Sequence, residues 1–215
     1  MARLYSYFRS SAAYRVRIAL ALKGIDYQTV PVHLLRAGGE QHLPGYRATN
    51  PAELVPAFEA DGLVLTQSLA IIEYLEETCP SPALLPADAP GRARVRALAQ
   101  TIACEIHPLN NLRVLAYLRD EMGIDQTARD HWYRHWVEQG LAVLEQLLAG
   151  AANTGLYCHG DTPTMADCCL VPQMFNAMRF DCRLETLPTV RRIYAQCLQL
   201  PAFQAAAPER QPDAE

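Results

Sequence analysis

Arg3-Leu4-Tyr5-Ser6-Tyr7-Phe8-Arg9-Ser10-Ser11-Ala12-Ala13-Tyr14-Arg15-Val16-Arg17-Ile18-Ala19-Leu20-Ala21-Leu22-Lys23-Gly24 is the stretch on which the fold turns. Residues 3–8 carry apolar or aromatic side chains at Leu4, Tyr5, Tyr7 and Phe8, the composition of a short strand. Ser10-Ser11 precede a helical segment in which Tyr14, Ile18 and Leu22 recur one turn apart. Gly24 supplies the stop that commonly follows a helix. Residues 27–32 are a second strand-like run, with β-branched Thr29, Val30 and Val32. Strand, helix, strand in this order predicts a parallel pair, because the helix carries the chain back along the sheet.

Further along, Gly38-Gly39 and Pro44-Gly45 read as a loop and Asn50-Pro51 as a turn. Residues 54–59 read as a proline-interrupted approach to a strand, and Gly62 turns the chain into residues 63–65. Ser68 is placed to cap a helix over residues 69–78, with Leu69, Ile72 and Leu75 on one face. Pro80, Pro82, Pro86 and Pro90 then cluster, and the character changes. Val95, Leu98, Ile102, Ile106 and Leu109 trace an apolar stripe that Pro108 should kink, and Leu112, Leu115 and Leu118 continue it. Trp132, Trp136, Leu144, Leu147 and Leu148 mark another helix. Thr164-Met165-Ala166-Asp167 has the form of a capping box, with Asp in the acidic position, opening a further helix. Residues 189–198 and 202–207 read as shorter helices. The expected organisation is an α/β domain over residues 1–86, a linker at 87–91 and an all-helical domain over 92–215.

Composition narrows the function. The chain has 215 residues and a formal net charge of -4, with no basic run. Nucleic acid is therefore not an expected partner, since phosphate neutralisation needs a basic patch. No apolar stretch approaches the ~20 residues of a membrane span, and the first ten residues lack a secretory apolar core. The seven cysteines are odd in number and contain no CxxC pair, so no metal site is expected. Unpaired, mostly buried thiols in a reducing cytoplasm are the expectation. Of the 19 basic residues only Lys23 is a lysine. Compositional bias explains most of that excess, but arginine is also the residue that grips carboxylates with a planar fork.

Three features of the first domain converge on chemistry. Ser10-Ser11 opens a helix whose free N–H groups and partial positive charge suit an anion. Val55-Pro56 sits where a cis bond would expose the preceding backbone to an extended peptide. Gln67-Ser68 stands at a second helix start with two hydrogen-bonding side chains. Taken singly, each is an N-cap or a turn. Taken together on this frame they suggest a small anionic thiol peptide bound over the sheet.

On these residues the chain resembles the glutathione transferase superfamily over nearly its whole length, and more narrowly the zeta class. The class signature Ser-Ser-Cys-x-Trp-Arg-Val-Arg-Ile-Ala-Leu is followed by Ser10-Ser11-Ala12-Ala13-Tyr14-Arg15-Val16-Arg17-Ile18-Ala19-Leu20, with Ala12 at the cysteine position and Tyr14 at the tryptophan position. Asn50-Pro51, Val55-Pro56 and the run from Gln67-Ser68 to Glu77 also match, as do Gly160-Asp161, Thr164 to Asp167 and Leu170-Val171-Pro172-Gln173. Pro208, Gln211, Pro212 and Asp213 fit the typical ending.

The resemblance implies a thioredoxin-like N-terminal domain, an all-α C-terminal domain, glutathione as cofactor, and a homodimer, for which Tyr46, Phe58 and Leu63 are candidate contacts. It implies cis–trans isomerisation of a small dicarboxylate, maleylacetoacetate (to fumarylacetoacetate) or maleylpyruvate, by reversible thiolate addition. A transferase or dehalogenase acting on small α-halo acids, and a non-enzymatic glutathione-binding protein, are the alternatives. Ser10 would activate the thiol, with Ser11 as the alternative hydroxyl and Arg9 beside them. The Val55 backbone at Pro56 would pair with the cysteinyl part, and Gln67 and Ser68 would hold the γ-glutamyl carboxylate. Gln41 or His42 would reach the glycyl end, with His107 and Asn111 contributing from the second domain. Arg9, Arg113 and Arg179 would hold the substrate carboxylates. Asp167 is expected to cap and Arg17 to be structural. Ala12 stands where the family has cysteine, which favours glutathione itself as the nucleophile. A thiol of reference pKa ~8.5 needs about 2–3 kcal/mol to ionise near neutrality. A hydroxyl donor contributes ~1.5–3 kcal/mol and a helix terminus ~0.3–1 kcal/mol, which is sufficient.

Overall fold

The computed structural model describes all 215 residues. They form two compact units, Met1–Leu84 together with Leu198–Glu215, and Leu85–Cys197.

The first unit is built on a sheet of order β2-β1-β3-β4: β1 is Ala2–Ser6, β2 Tyr27–Pro31, β3 Ala57–Ala60 and β4 Leu63–Thr66. β1 and β2 are parallel, with Ala2 opposite Tyr27 and Ser6 opposite Pro31, as the strand–helix–strand order requires. β3 runs antiparallel to β1 and pairs with β4 across a turn where Gly62 takes φ +81°. Helices α1 (Ser11–Leu22) and α3 (Ser68–Thr78) pack together. Leu4, Ile18, Leu20, Phe58, Ile71 and Ile72 are buried in the core. Each such side chain contributes roughly 1.5–3 kcal/mol of transfer free energy. The one lysine has a structural place. Lys23 Nζ pairs with Glu76 Oε2 at 2.8 Å and donates to the carbonyls of Cys79 (2.6 Å) and Pro82 (3.0 Å). Three donors meet three acceptors, which is what makes a buried ammonium tolerable.

Several expectations are corrected. Residues 36–49 are not a plain loop: 3-10 turns at Arg36–Gly38 and Glu40–His42 lead into α2 (Pro44–Thr49). Pro44 occupies the first helical position, where its missing N–H costs nothing, and six residues are too few to show periodicity. Ser68 is the first residue of α3 rather than its cap; the cap position is Gln67, at φ +68°. Tyr46 and Phe58 are buried and cannot be exposed dimer contacts, whereas Leu63 is exposed. The expected 92–215 domain is divided, because α9 (Pro201–Ala205) packs on α1 and Arg17 Nε donates to the Ala206 carbonyl at 3.0 Å. Periodicity reports that a segment is helical, not which face it covers.

The second unit is helical. α4 (Ala89–Gln100) begins inside the expected linker at 87–91, capped by Asp88, whose carboxylate accepts from the Gly91 N–H at 2.8 Å. It widens into a π-helical turn over Thr101–Ile106 and a 3-10 turn over His107–Asn110, the irregularity expected at Pro108. α5 (Leu112–Asp120), α6 (Gln126–Leu148), α7 (Met165–Arg179) and α8 (Pro188–Cys197) follow. Gly140 is required in α6, since a Cβ there would lie 2.3 Å from Ile106 Cγ1. The capping box forms: Asp167 Oδ2 accepts from the Thr164 N–H and hydroxyl, both at 2.8 Å, and Oδ1 accepts from the Cys158 N–H at 2.9 Å. All seven cysteines are free thiols, with Cys104 exposed and Cys79 half-buried. No helix is long and apolar enough to cross a membrane.

Candidate functional site

Within the first unit, the turn from β1 to α1 presents Arg9, Ser10 and Ser11. Ser10 is the N-cap of α1, its Oγ accepting from the Ala13 N–H at 3.2 Å. That bond occupies a lone pair and leaves the hydroxyl proton able to donate outward. Ser11 is the first helical residue and only 4% exposed. Capping thus distinguishes two serines that composition alone treats alike. Arg9 is exposed, its guanidinium 4.7 Å from the Phe8 ring centroid. Arg17 is structural: it is buried and donates to Ser6 Oγ and to the Tyr7, Phe8 and Ala206 carbonyls. Burial pulls its pKa down to about 10.

The second anion-type terminus, at α3, is joined to the first. Buried Arg15 donates from Nη1 to the Ser68 hydroxyl at 3.2 Å. Gln67 is exposed and held in the left-handed region, an uncommon conformation for a residue with a side chain. Such conformations cluster at binding sites. Val55 is buried, and its bond to Pro56 is cis, as expected.

Gln41 and His42 close the arrangement. Gln41 is buried, its Nε2 lies 3.0 Å from His42 Nε2, and its buried Oε1 has no hydrogen-bond partner. Gly39, at φ +107°, makes room for it, since a Cβ there would lie 2.5 Å from Gln41 Nε2. His42 Nδ1 contacts Glu53 closely, and Arg47 pairs with the same carboxylate at 2.9 Å. The hydrogen bond to His42 is the main reason the Glu53 carboxyl titrates below its usual range. Glu53, at φ +57°, carried no sequence signal. Arg15 lay inside the quoted motif, but its link to Ser68 spans 53 positions and no local pattern reports it.

Within the second unit, His107 and Asn111 are brought together, with His107 Nε2 3.3 Å from Asn111 Nδ2. Asn111 also caps α5 by accepting from the Arg113 N–H at 3.0 Å. Arg113 and Arg179 are both exposed, and Arg179 sits in the last turn of α7 with its guanidinium 5.0 Å from the Phe180 ring centroid.

These halves offer hydroxyl donors, two helix N-termini, an orphaned buried amide oxygen and exposed guanidinium groups. The groups of the first unit suit a peptide with an anionic end and a thiol, and a guanidinium suits a carboxylate.

Residues 2–77 match the family described as glutathione S-transferase, N-terminal domain. The chain is 51% identical over 211 residues to a probable maleylacetoacetate isomerase of Vibrio cholerae, covering 98% of this chain and 97% of that one. It superposes with TM-score 0.96 and 49% identity on a holo maleylpyruvate isomerase described as a bacterial zeta-class glutathione S-transferase, covering 99% of this chain and 100% of that one. A maleylacetoacetate isomerase from Methylobacterium extorquens AM1, solved with malonate and glutathione bound, matches with TM-score 0.95, 43% identity and 99% of each chain covered.

Proposed function

Because the chain belongs to the zeta class of glutathione transferases, we propose that it is a glutathione-dependent cis–trans isomerase of maleylacetoacetate or maleylpyruvate. The carrying observation is the Ser10 hydroxyl, which accepts from the Ala13 N–H and keeps its own proton for a ligand at the start of α1. The orphaned Gln41 Oε1 and the left-handed Gln67 fit the amide and amine groups of a tripeptide.

Glutathione, when bound, would supply the thiolate for reversible addition to the cis double bond. Ser10 donates a hydrogen bond to the sulfur, and the α1 terminus adds a favourable field. Ser11 belongs to the same turn. The Val55 backbone, ahead of Pro56, pairs with the cysteinyl portion. Gln67 and Ser68 hold the γ-glutamyl carboxylate at the α3 terminus. Gln41 and His42 meet the glycyl end, and His107 with Asn111 contribute from the helical unit. Arg9, Arg113 and Arg179 hold the substrate carboxylates, whose planar geometry matches guanidinium forks. A dicarboxylate, malonate, accompanies glutathione in the M. extorquens relative. Ala12 leaves no protein thiol at the family's cysteine position, so the protein's own groups bind, orient and stabilise charge.

The test is spectroscopic loss of maleylacetoacetate and of maleylpyruvate with and without glutathione. Glutathione-dependent turnover of either supports the assignment. Halide release from α-halo acids without isomerisation would move it to displacement chemistry. We further infer a homodimer in the cytoplasm. Leu63 and Val64, exposed on edge strand β4, support an apolar contact, and the seven free thiols suit a reducing compartment. Sedimentation velocity checks the assembly.

A further inference from the structure

Phe8 stands two residues before Ser10, and both its backbone polar groups are held by charged side chains. Its N–H donates to Asp213 Oδ2 at 2.9 Å, and its carbonyl accepts from Arg17 Nη2 at 3.0 Å. Arg17 Nη1 also reaches the Tyr7 carbonyl at 3.4 Å, the same carbonyl that receives the Ser10 N–H at 2.9 Å. Phe8 is only 4% exposed, so these groups need protein partners. The segment delivering Asp213 is itself fastened. Gln211 Nε2 donates to the carbonyls of Ala205 and Ala207, both at 3.0 Å, and Pro212 then fixes one backbone angle. Gln211-Pro212-Asp213 thus forms a latch from the end of α9 to the turn that carries the thiol-activating hydroxyl.

We propose that Asp213, backed by Arg17, is a positioning residue for the isomerase reaction: it fixes the Phe8–Arg9–Ser10 backbone and thereby aims the Ser10 hydroxyl at the glutathione thiol. The inference rests on the Ser10 assignment made above. A carboxylate accepting an N–H makes a stronger bond than a neutral acceptor, which suits a group whose task is to hold a turn still. A misplacement of about 1 Å in a reacting group can cost on the order of 100-fold in rate.

The experiment measures the pKa of glutathione bound to the full-length protein, by ultraviolet titration of the thiolate, alongside melting temperature and calorimetric glutathione affinity. Asp213→Ala should raise the bound thiol pKa so that the thiolate fraction at neutral pH falls by about tenfold. Glutathione affinity should change by less than about threefold, or ~0.6 kcal/mol. Asp213→Asn keeps an amide oxygen for the Phe8 N–H and should restore the wild-type titration. Arg17→Lys keeps the positive charge but loses the fork, and should shift the thiol in the same direction as Asp213→Ala. This second arm decides the matter if Asp213→Ala does not fold.

An electrostatic role predicts otherwise: losing the carboxylate beside Arg17 would lower the thiol pKa equally in Asp213→Ala and Asp213→Asn. That result would overturn the proposal. So would a lowered melting temperature with an unmoved thiol pKa, which would make Asp213 a staple only. Ser10→Ala serves as the control for the underlying reading. If its bound thiol titrates like wild type, the Ser10 assignment itself fails; if it responds while Asp213→Ala does not, only the positioning role falls.

Discussion

Arg15 and Ser68, 53 positions apart, meet at 3.2 Å and join α1 to the first residue of α3, the two helix starts assigned to glutathione. Arg15 is 2% exposed, so Ser68→Ala removes an acceptor from a buried guanidinium. The expected cost is about 1–3 kcal/mol in urea unfolding, together with weaker glutathione binding by calorimetry. Ser68→Thr, which keeps the hydroxyl, should recover most of both.

Ser10→Ala loses a helix cap and a thiol partner at once. Capping predicts a stability loss of about 0.5–2 kcal/mol. A lost hydrogen bond to a charged sulfur predicts a fall in turnover of roughly 10- to 150-fold. Ser11→Ala, at a residue without the capping geometry, should leave the bound thiol pKa near wild type. A larger shift in Ser11→Ala than in Ser10→Ala would reverse the assignment of the two serines.

The arginines allow a cleaner separation, because all three are exposed. Arg9→Ala, Arg113→Ala and Arg179→Ala should each raise KM for the dicarboxylate by about tenfold or more, the loss of a charge-assisted contact of at least ~1.4 kcal/mol. Glutathione affinity and melting temperature should stay near wild type. An arginine whose removal leaves KM unmoved is a solvated surface charge.

Much of the fold was readable because its signals are local. Leu4, Tyr14, Ile18 and Gly24 announce strand, helix and stop within a few positions, and Thr164 with Asp167 announces a cap within one turn. Contacts distant in sequence were not readable. Nothing near Glu53 reports its pairing with His42 and Arg47, and nothing near Asp213 reports its bond to Phe8, 205 positions away. The candidate site was legible as two loop–helix junctions and a Val-Pro step. That Ser10 rather than Ser11 caps α1 became visible only through the hydrogen bond its Oγ accepts from the Ala13 N–H.

Asp167 gives a pH prediction. Burial is the main cause raising its pKa, opposed by hydrogen bonds from Cys158 and Thr164. A raised folded-state value means the stabilisation is full below the ordinary aspartate pKa of ~3.9 and is lost as pH rises through the folded value. The stability gap between wild type and Asp167→Ala should therefore narrow as pH rises above about 4 in denaturant unfolding. A gap that widens over that range would show that the three hydrogen bonds outweigh burial.

The grouping of Leu198–Glu215 with Met1–Leu84 bears on biosynthesis. A nascent chain released from the ribosome only as far as residue 84 contains the residues of the sheet and of α1 and α3 but lacks α9, the Ala206 carbonyl that Arg17 bonds, and the Asp213 carboxylate that Phe8 bonds. The unit assigned to the cofactor is split in sequence, so translation of the intervening 113 residues of the helical unit, Leu85–Cys197, separates the synthesis of its two segments. Competence for glutathione should appear late and abruptly during synthesis, and a premature stop in the final segment should yield a chain that looks nearly whole yet has an unfinished turn at Ser10.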